Sequence, residues 1–220
     1  MPNSAAPAPS APDVTLAWCA GADVATMFLE SVAHLYEDDA ARARIAGHIA
    51  YIGGPDLRTS RTSVTRSFLK TGTEWLLQID SDMFFTPQHF RDLLSVADAA
   101  TCPIVGGYYA GYTPHNGEKV PVAATLQGDD VQVVRRPHPS GVVDVDFVGT
   151  GFLLIHRDVF RRVAQDRPGS LLPWWDLSVA HGMAMPEDFT FCARARQAGY
   201  KVRLHTGVRL GHVKTHIVFP

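Results

Sequence analysis

The feature that most constrains this chain is an apolar segment ending in two carboxylates, which reads Trp-Leu-Leu-Gln-Ile-Asp-Ser-Asp-Met-Phe-Phe over residues 75–85. An apolar run of this length, bounded by turn signals, is typical of a buried strand. Side chains alternate along an extended strand, so Asp80 and Asp82 would point the same way. Buried charge is costly unless it is paired or binds a metal, and open α/β sheets bind ligands at the carboxyl ends of their strands. The motif therefore favours a divalent cation with a phosphate-bearing ligand, and the simpler alternative is a turn or a helix cap.

The first half of the chain alternates strand and helix patterns. Strands are predicted over Val14–Cys19, His48–Ile52 and the residues leading to Asp80, and helices over Met27–Tyr36 and Ser60–Lys70, the second ending at Gly72. Alternation of this kind predicts a parallel sheet.

The second half is more varied. Thr86-Pro87 is a strong helix start, and further helices are predicted over Arg157–Gln165 and Pro186–Gln197. Strands are predicted over Pro103–Tyr109, Gly151–Ile155, Lys201–Leu204 and Val208–Val213, with short alternating pieces between Val120 and Phe147 that indicate antiparallel or edge strands. The sequence predicts one α/β domain over residues 14–220, with a mostly parallel central sheet flanked by helices and a small antiparallel part in its C-terminal half. Residues 1–13 form an Ala/Pro-rich tail that we expect to be disordered.

Composition narrows the class of function only slightly. The chain has 220 residues and a net charge of −2, so charge gives no support for binding nucleic acid or an anionic membrane. No apolar run reaches the length of a membrane span, and the N-terminus lacks the pattern of a signal peptide. The three cysteines are far apart, which predicts free thiols in a reducing, cytoplasmic compartment.

Three further motifs carry groups suited to chemistry. Gly149-Thr150-Gly151 would let a ligand approach the backbone, although a plain bulge or turn is the favoured explanation of this motif taken alone. Glu187-Asp188 lies at a predicted helix start, where acidic residues complement the helix dipole or supply a general base. His212, Lys214 and His216 share one side of an extended segment, where an imidazole beside carboxylates favours Mn²⁺ over Mg²⁺.

Aromatic residues provide candidate surfaces for a sugar or a base. Trp174-Trp175 would form a sugar or acceptor platform with one ring exposed, because neighbours on a regular strand point to opposite sides. The alternative is that both rings pack under a loop. Trp18, at the end of the first strand, stands where a nucleobase would lie, although a core position is the simpler interpretation.

Taken together, the motifs give the chain a family resemblance. It resembles small GT-A-fold glycosyltransferases, similar to glycosyltransferase family 2 and to short bacterial and phage members. The matching stretches follow the family's order over about the whole chain after the tail: Ile79-Asp80-Ser81-Asp82-Met83, Val148-Gly149-Thr150-Gly151-Phe152, Pro186-Glu187-Asp188-Phe189 and Gly211-His212-Val213.

The resemblance implies roles for individual residues. Asp82 would ligate the metal, with His212 as a further metal ligand. Asp80 would belong to the metal site or contact the ribose or a metal-bound water, and Ser81 would contact the nucleotide. Asp188 would be the base of an inverting enzyme, with Glu187 in reserve. Arg61 matches the family's Arg-Asn pair near the nucleotide, but Thr62 departs from it. Lys214 or His216 would assist the departing diphosphate.

The implied function is transfer of a sugar from a UDP- or GDP-type nucleotide donor to an unknown acceptor hydroxyl, with Mn²⁺ or Mg²⁺ stabilising the leaving group. A retaining mechanism stays open, as does a modified base in phage DNA as the acceptor. A nucleotidyltransferase is the rival enzyme, but the loop Cys19-Ala20-Gly21-Ala22-Asp23 has no basic residue to hold a triphosphate. A non-catalytic nucleotide-sugar binding module is the remaining alternative.

Overall fold

A computed structural model describes residues 13–112, 118–128, 130–135, 141–180 and 183–214. The helices are α1 (Thr26–Glu37), α2 (Asp39–Arg42), α3 (Leu57–Thr71), α4 (Pro87–Val96), α5 (Arg157–Gln165) and α6 (Glu187–Gln197). The strands are β1 (Val14–Ala20), β2 (Ile45–Ile52), β3 (Trp75–Asp80), β4 (Met83–Phe84), β5 (Ile104–Tyr108), β6 (Ala110–Tyr112), β7 (Lys119–Pro121), β8 (Ala123–Gln127), β9 (Asp130–Val133), β10 (Val142–Val145), β11 (Phe147–Val148), β12 (Phe152–His156), β13 (Ser178–Ala180), β14 (Met183–Met185), β15 (Val202–Arg209) and β16 (Gly211–His212).

The central sheet has seven strands in the order β10-β15-β5-β12-β3-β1-β2. Strand β1 pairs in parallel with β2 and β3, and β15 pairs in parallel with β5. Strand β12 is antiparallel to both of its neighbours, and β10 is antiparallel to β15 at the edge. Five strands therefore run in one direction, which confirms the predicted mostly parallel sheet.

Small antiparallel pairs surround the second half of this sheet. Strands β8, β9 and β11 form a three-stranded sheet, while β6 pairs with β7, β13 with β14 and β16 with β4. The antiparallel part predicted between Val120 and Phe147 is thereby confirmed. The predicted break between two short strands near the C-terminus is wrong, because β15 continues from Val202 to Arg209 with one irregularity in its register.

Helices cover both faces of the sheet because the buried strands are apolar on both sides. Leu76 belongs to the core under α3, α5 and α6, and its neighbours Trp75 and Leu77 belong to the core under α1 and α4. This alternation is the period-2 pattern of a strand. In the part of the chain that the structure describes, no helix has the length and apolar character needed to cross a membrane.

Two predicted helix limits agree with the observed caps, whereas α3 begins at Leu57, three residues before the predicted start at Ser60. The hydroxyl of Thr86 accepts a hydrogen bond from the backbone N–H of His89 at the start of α4, and Gly72 ends α3 with φ of +86°. Residues 1–12 of the predicted tail lie outside the described residues. Asp13, the last residue of that tail, belongs to the fold, because its carboxylate lies 2.7 Å from Arg44.

Strand direction places the functional motifs at one edge of the sheet. The carboxyl ends of β1, β3 and β5 meet there, and β12 begins there because it runs the other way. The backbone N–H of Asp80 donates to the carbonyl of Gly151 across this edge, at 3.1 Å.

Candidate active site

A cleft of about 630 Å³ opens beside the turn that follows β3. Its lining comes from the loop between β1 and α1, from that turn and from the chain after β16, and comprises Asp23, Val24, Ala25, Thr26, Met27, Ser81, Asp82, Val213 and Lys214. Backbone hydrogen bonds hold these segments together, from Ala25 N–H to the Ser81 carbonyl at 3.1 Å and from Val213 N–H to the Asp82 carbonyl at 2.8 Å. These hydrogen bonds fix the walls of the cleft at the edge of the sheet.

Asp82 is the charged centre of this cleft. Its Oδ2 lies 3.1 Å from His212 Nε2 and accepts a hydrogen bond from Lys214 Nζ at 2.7 Å. Burial alone would raise the pKa of Asp82, but the hydrogen bonds and charges of His212 and Lys214 lower it to about 2. The carboxylate is thus ionised at every physiological pH.

His212 is oriented by its second ring nitrogen, which lies 2.9 Å from the carbonyl of Ala110. A backbone carbonyl in this position fixes the ring and its tautomer, as it does for many metal-bound histidines. Burial lowers the pKa of His212, while Asp82 and the Ala110 carbonyl outweigh that effect and raise it. Asp82 and His212 lie in contact although they are 130 residues apart in sequence, and their role as metal ligands stays a prediction.

The residues present fit a divalent cation only in part. Among the described residues, no group of three or more acidic, His or Cys side chains is close enough to hold an ion. Asp82 and His212 offer one oxygen and one nitrogen donor, and a metal that binds a phosphate ligand takes its remaining donors from the phosphates and water. Asp80 does not complete the set as expected, because β3 ends at Asp80 and the next two residues form a turn.

Asp80 instead faces a buried arginine on α3. Arg61 is 2 % exposed, and its Nη2 donates to Asp80 Oδ1 at 2.7 Å while its Nη1 donates to Glu187 Oε1. Burial lowers the pKa of Arg61, but Asp80, Glu187 and Asp188 outweigh it and raise that pKa, so the guanidinium stays charged. The structure gives Arg61 an ion-pair role in place of the predicted nucleotide contact.

Asp188 lies beside this ion-pair cluster at the start of α6. The hydrogen bond found for its carboxylate is from the backbone N–H of Phe189, at 2.8 Å. Burial raises the pKa of Asp188 to about 7; Arg61 opposes the shift, and the negative charges of Glu187 and Asp80 add to it. A carboxyl with such a pKa can exchange a proton near neutrality, as a general base must.

The glycines of Gly149-Thr150-Gly151 accommodate a protein side chain. A Cβ at Gly149 would lie 2.1 Å from the Tyr109 hydroxyl, and a Cβ at Gly151 2.6 Å from its ring. The Gly151 N–H donates to the Tyr109 hydroxyl at 2.9 Å. The room predicted for a ligand is therefore filled by Tyr109, and Thr150 is buried beside it.

The structure also corrects the prediction of an exposed tryptophan platform. Trp174 and Trp175 are both buried, 4 % and 0 % exposed, so the expectation that one ring is open to a sugar is wrong. Both indole N–H groups are satisfied inside, by the Phe160 carbonyl at 2.7 Å and by Thr65 Oγ1 at 2.8 Å. The irregular loop before β13 turns both rings into the core, which a regular strand would not do.

Two nucleotide candidates have different outcomes. Trp18 is partly exposed and stacks on His48 with ring centroids 5.0 Å apart, so a nucleobase contact stays a prediction. His216 lies outside the described residues.

Two parts of the site are not among the predicted site residues. Tyr109 follows β5 and places its ring edge 5.4 Å from the His212 ring. Residues 23–27, from the end of the loop after β1 and the start of α1, line the cleft. Their position after the carboxyl end of a parallel strand is the signal that could have identified them.

Comparisons with known proteins identify the fold. No family model matches the sequence, and no curated protein matches it. Among solved structures, the chain is similar to A197 from STIV, with a TM-score of 0.59 and 14 % identity over 91 % of this chain and 86 % of that one. It is similar to GalNAc-T7 with UDP, GalNAc and Mn²⁺, with a TM-score of 0.61 and 9 % identity over 93 % of this chain. It is also similar to the mannosyltransferase PcManGT from Pyrobaculum calidifontis in complex with GDP-Man and Mn²⁺, with a TM-score of 0.54 and 13 % identity over 96 % of this chain.

These likenesses define the class of fold. The chain has the α/β fold of GT-A glycosyltransferases, as the sequence predicted. It spans 44 % of the GalNAc-T7 chain and 59 % of the PcManGT chain, so it corresponds to a part of each.

Proposed function

We propose that this protein is a metal-dependent glycosyltransferase of the family-2 type. It moves a sugar from a UDP- or GDP-type donor to an acceptor hydroxyl. The proposal rests on one observation: two carboxylates with opposite pKa shifts lie at the same edge of the sheet. Asp82 is held ionised beside His212 and Lys214, and Asp188 is held near neutral pKa beside a buried ion-pair cluster. The chemistry needs both, because a diphosphate must leave and an acceptor must lose a proton.

The cleft at Asp82 suits the donor. Asp82 and His212 would hold the cation, which supplies Lewis-acid stabilisation of the departing diphosphate when bound. Lys214, 2.7 Å from Asp82, adds a positive charge for the phosphates. The cleft also borders the start of α1, whose N-cap residue Ala25 makes no side-chain cap, and a helix N-terminus of this kind favours an anion.

Asp188 suits the role of base better than Glu187 does. Glu187 is ion-paired with Arg61, whereas Asp188 forms no ion pair with an arginine among the described residues, and its carboxylate accepts a hydrogen bond from the Phe189 N–H. A carboxylate of raised pKa at this position supports an inverting displacement, in which Asp188 takes the acceptor proton as the oxygen attacks the anomeric carbon. The same site without an acceptor would transfer the sugar to water.

Donor hydrolysis tests the proposal without knowledge of the acceptor. UDP and GDP sugars are incubated with the protein and Mn²⁺, and release of UDP or GDP is measured, with EDTA as the control. We expect metal-dependent release from at least one donor. Binding of UDP or GDP with no release from any donor sugar, even with an excess of simple glycoside acceptors, would favour a non-catalytic binding module.

A further inference from the structure

Arg61 is a buried charge at the centre of the site. Its helix, α3, begins at Leu57 with a cap from Asp56, whose Oδ1 accepts the Thr59 N–H at 3.0 Å. Arg61 lies one turn into that helix and points into the core between α3, β3 and α6, where it is 2 % exposed. A buried guanidinium is retained only where its hydrogen bonds are well satisfied.

Trp175 also holds the side chain of Arg61 in place. Its guanidinium carbon lies 5.9 Å from the centre of the Trp175 ring, a cation–π distance. The Trp175 indole donates to Thr65 Oγ1 at 2.8 Å, and that hydroxyl donates to the Arg61 carbonyl at 2.9 Å. Trp175 therefore contacts the Arg61 side chain directly and, through Thr65, the turn of α3 that carries Arg61.

The two terminal nitrogens of Arg61 reach different parts of the site. Nη2 binds Asp80, two residues before Asp82 on the donor side, and Nη1 binds Glu187, which immediately precedes Asp188 on the acceptor side. The planar fork of a guanidinium permits both contacts at once, whereas a lysine ammonium is a single point charge on a flexible stem. One side chain thus joins the donor turn to the helix that carries the base.

We infer that Arg61 is a positioning residue that couples these two halves. It holds Glu187 away from the acceptor, leaves Asp188 as the free carboxylate, and fixes the distance between Asp188 and the donor turn through Asp80. This role rests on the proposed function. A displacement of about 1 Å in a reacting geometry costs on the order of 10²-fold in rate.

The functional test separates turnover from binding. In Arg61→Met, we expect metal-dependent release of UDP or GDP from the donor sugar to fall by about 10²-fold or more. The Kd of UDP or GDP with Mn²⁺, measured by calorimetry, should change little, because Arg61 is shielded from the cleft. Arg61→Lys should also lose most turnover. Arg66→Met is the control, since Arg66 is exposed on the same helix and donates a hydrogen bond to the Leu171 carbonyl. Wild-type turnover in either Arg61 variant would overturn the inference.

A second test needs no activity and so stands if the proposed function fails. Asp80→Asn and Glu187→Gln are combined in a double-mutant cycle, and urea unfolding midpoints are measured. The two changes should be non-additive in the wild-type background and additive when residue 61 is Met, because the bridge is then gone. If Arg61→Met does not fold, Arg61→Lys replaces it as the background. Additivity in the wild-type background would contradict the bridge.

Discussion

Asp82 and Asp188 lie in two halves of one site and show how position decides what a carboxylate can do. Asp82 sits in a turn beside His212 and Lys214, whose hydrogen bonds and charges hold its pKa at about 2. Asp188 sits at a helix start where burial and two other carboxylates outweigh one arginine, and its pKa rises to about 7. One group keeps its charge at all times, as a ligand for a cation must, and the other gains and loses a proton near neutrality. Two carboxylates with pKa values pushed apart by their surroundings indicate different chemical assignments.

The two halves also differ in how they are built. The Asp82 half consists of a turn and a two-stranded contact, β4 with β16, and its lysine and histidine are partly exposed. The Arg61 half is buried between two helices and a central strand. We therefore expect the first half to adjust when a ligand binds and the second to be fixed beforehand.

The largest expected effect comes from removing the proton acceptor. Asp188→Asn keeps the size of the side chain and its place at the helix start, but the amide takes no proton. Turnover should fall by about 10²- to 10⁴-fold, while UDP or GDP binding with Mn²⁺ persists. Glu187→Gln is the matched variant and should lose less, since Glu187 is paired with Arg61. If the Gln variant is the inactive one, the base lies one residue earlier; full activity in both would favour a retaining mechanism.

Next in size is the histidine of the Asp82 half. His212→Ala should weaken Mn²⁺-dependent nucleotide binding by about 10- to 100-fold or more, a range set by what changes around metal ligands cost. The measurement is calorimetric titration of UDP or GDP at saturating Mn²⁺. His34→Ala, an exposed histidine on α1, is the control. Equal affinity in His212→Ala would remove this residue from the site.

The pH dependence of turnover reports on the other half. Because the pKa of Asp188 is raised to about 7, its carboxylate is protonated and inactive in acid, so turnover should rise with pH through about 7. The sign for stability is opposite. The stability that protonated Asp188 contributes is fully present below its ordinary value of 3.8 and is lost as pH rises through about 7. A flat rate profile between pH 5 and pH 8 would contradict the base assignment.

The smallest effect should come from the buried tryptophan loop. Trp174→Phe removes one indole hydrogen bond to the Phe160 carbonyl and should cost about 0.5–1.5 kcal/mol in the free energy of unfolding. The KM for the donor sugar should stay unchanged, because Trp174 is 4 % exposed. A raised KM for the donor sugar in a Trp174→Phe variant of normal stability would support the sugar platform.

Some features of the fold and of the site could be predicted from the sequence. Local signals such as Thr86-Pro87 and Gly72 fixed helix limits, because capping depends on neighbouring residues. The meeting of Asp82 with His212 followed from motif order in a known fold. Strand direction was harder, since the pattern of Phe152–His156 is the same for a parallel or an antiparallel strand.

Features that depend on tertiary packing could not be predicted from the sequence. Gly149 and Gly151 are small because Tyr109 packs against them, and no spacing in the sequence links these residues. Trp174 and Trp175 are buried together because their loop folds under α3 and α6. The ion pair of Arg61 with Glu187 joins residues 126 positions apart, so only the fold brings them into contact.

The most direct test of the account is the binding of UDP and GDP by wild-type protein and Asp82→Ala, each with and without Mn²⁺. A ligand that binds the native state stabilises it, so thermal shift identifies the nucleotide and calorimetry then gives its Kd. We expect Mn²⁺-dependent binding of at least one nucleotide to the wild type. It should be lost in Asp82→Ala, whose melting temperature without ligand stays close to that of the wild type. Unchanged nucleotide affinity in folded Asp82→Ala, or no metal-dependent binding of either nucleotide to the wild type, would contradict the assignment of this cleft as the donor site.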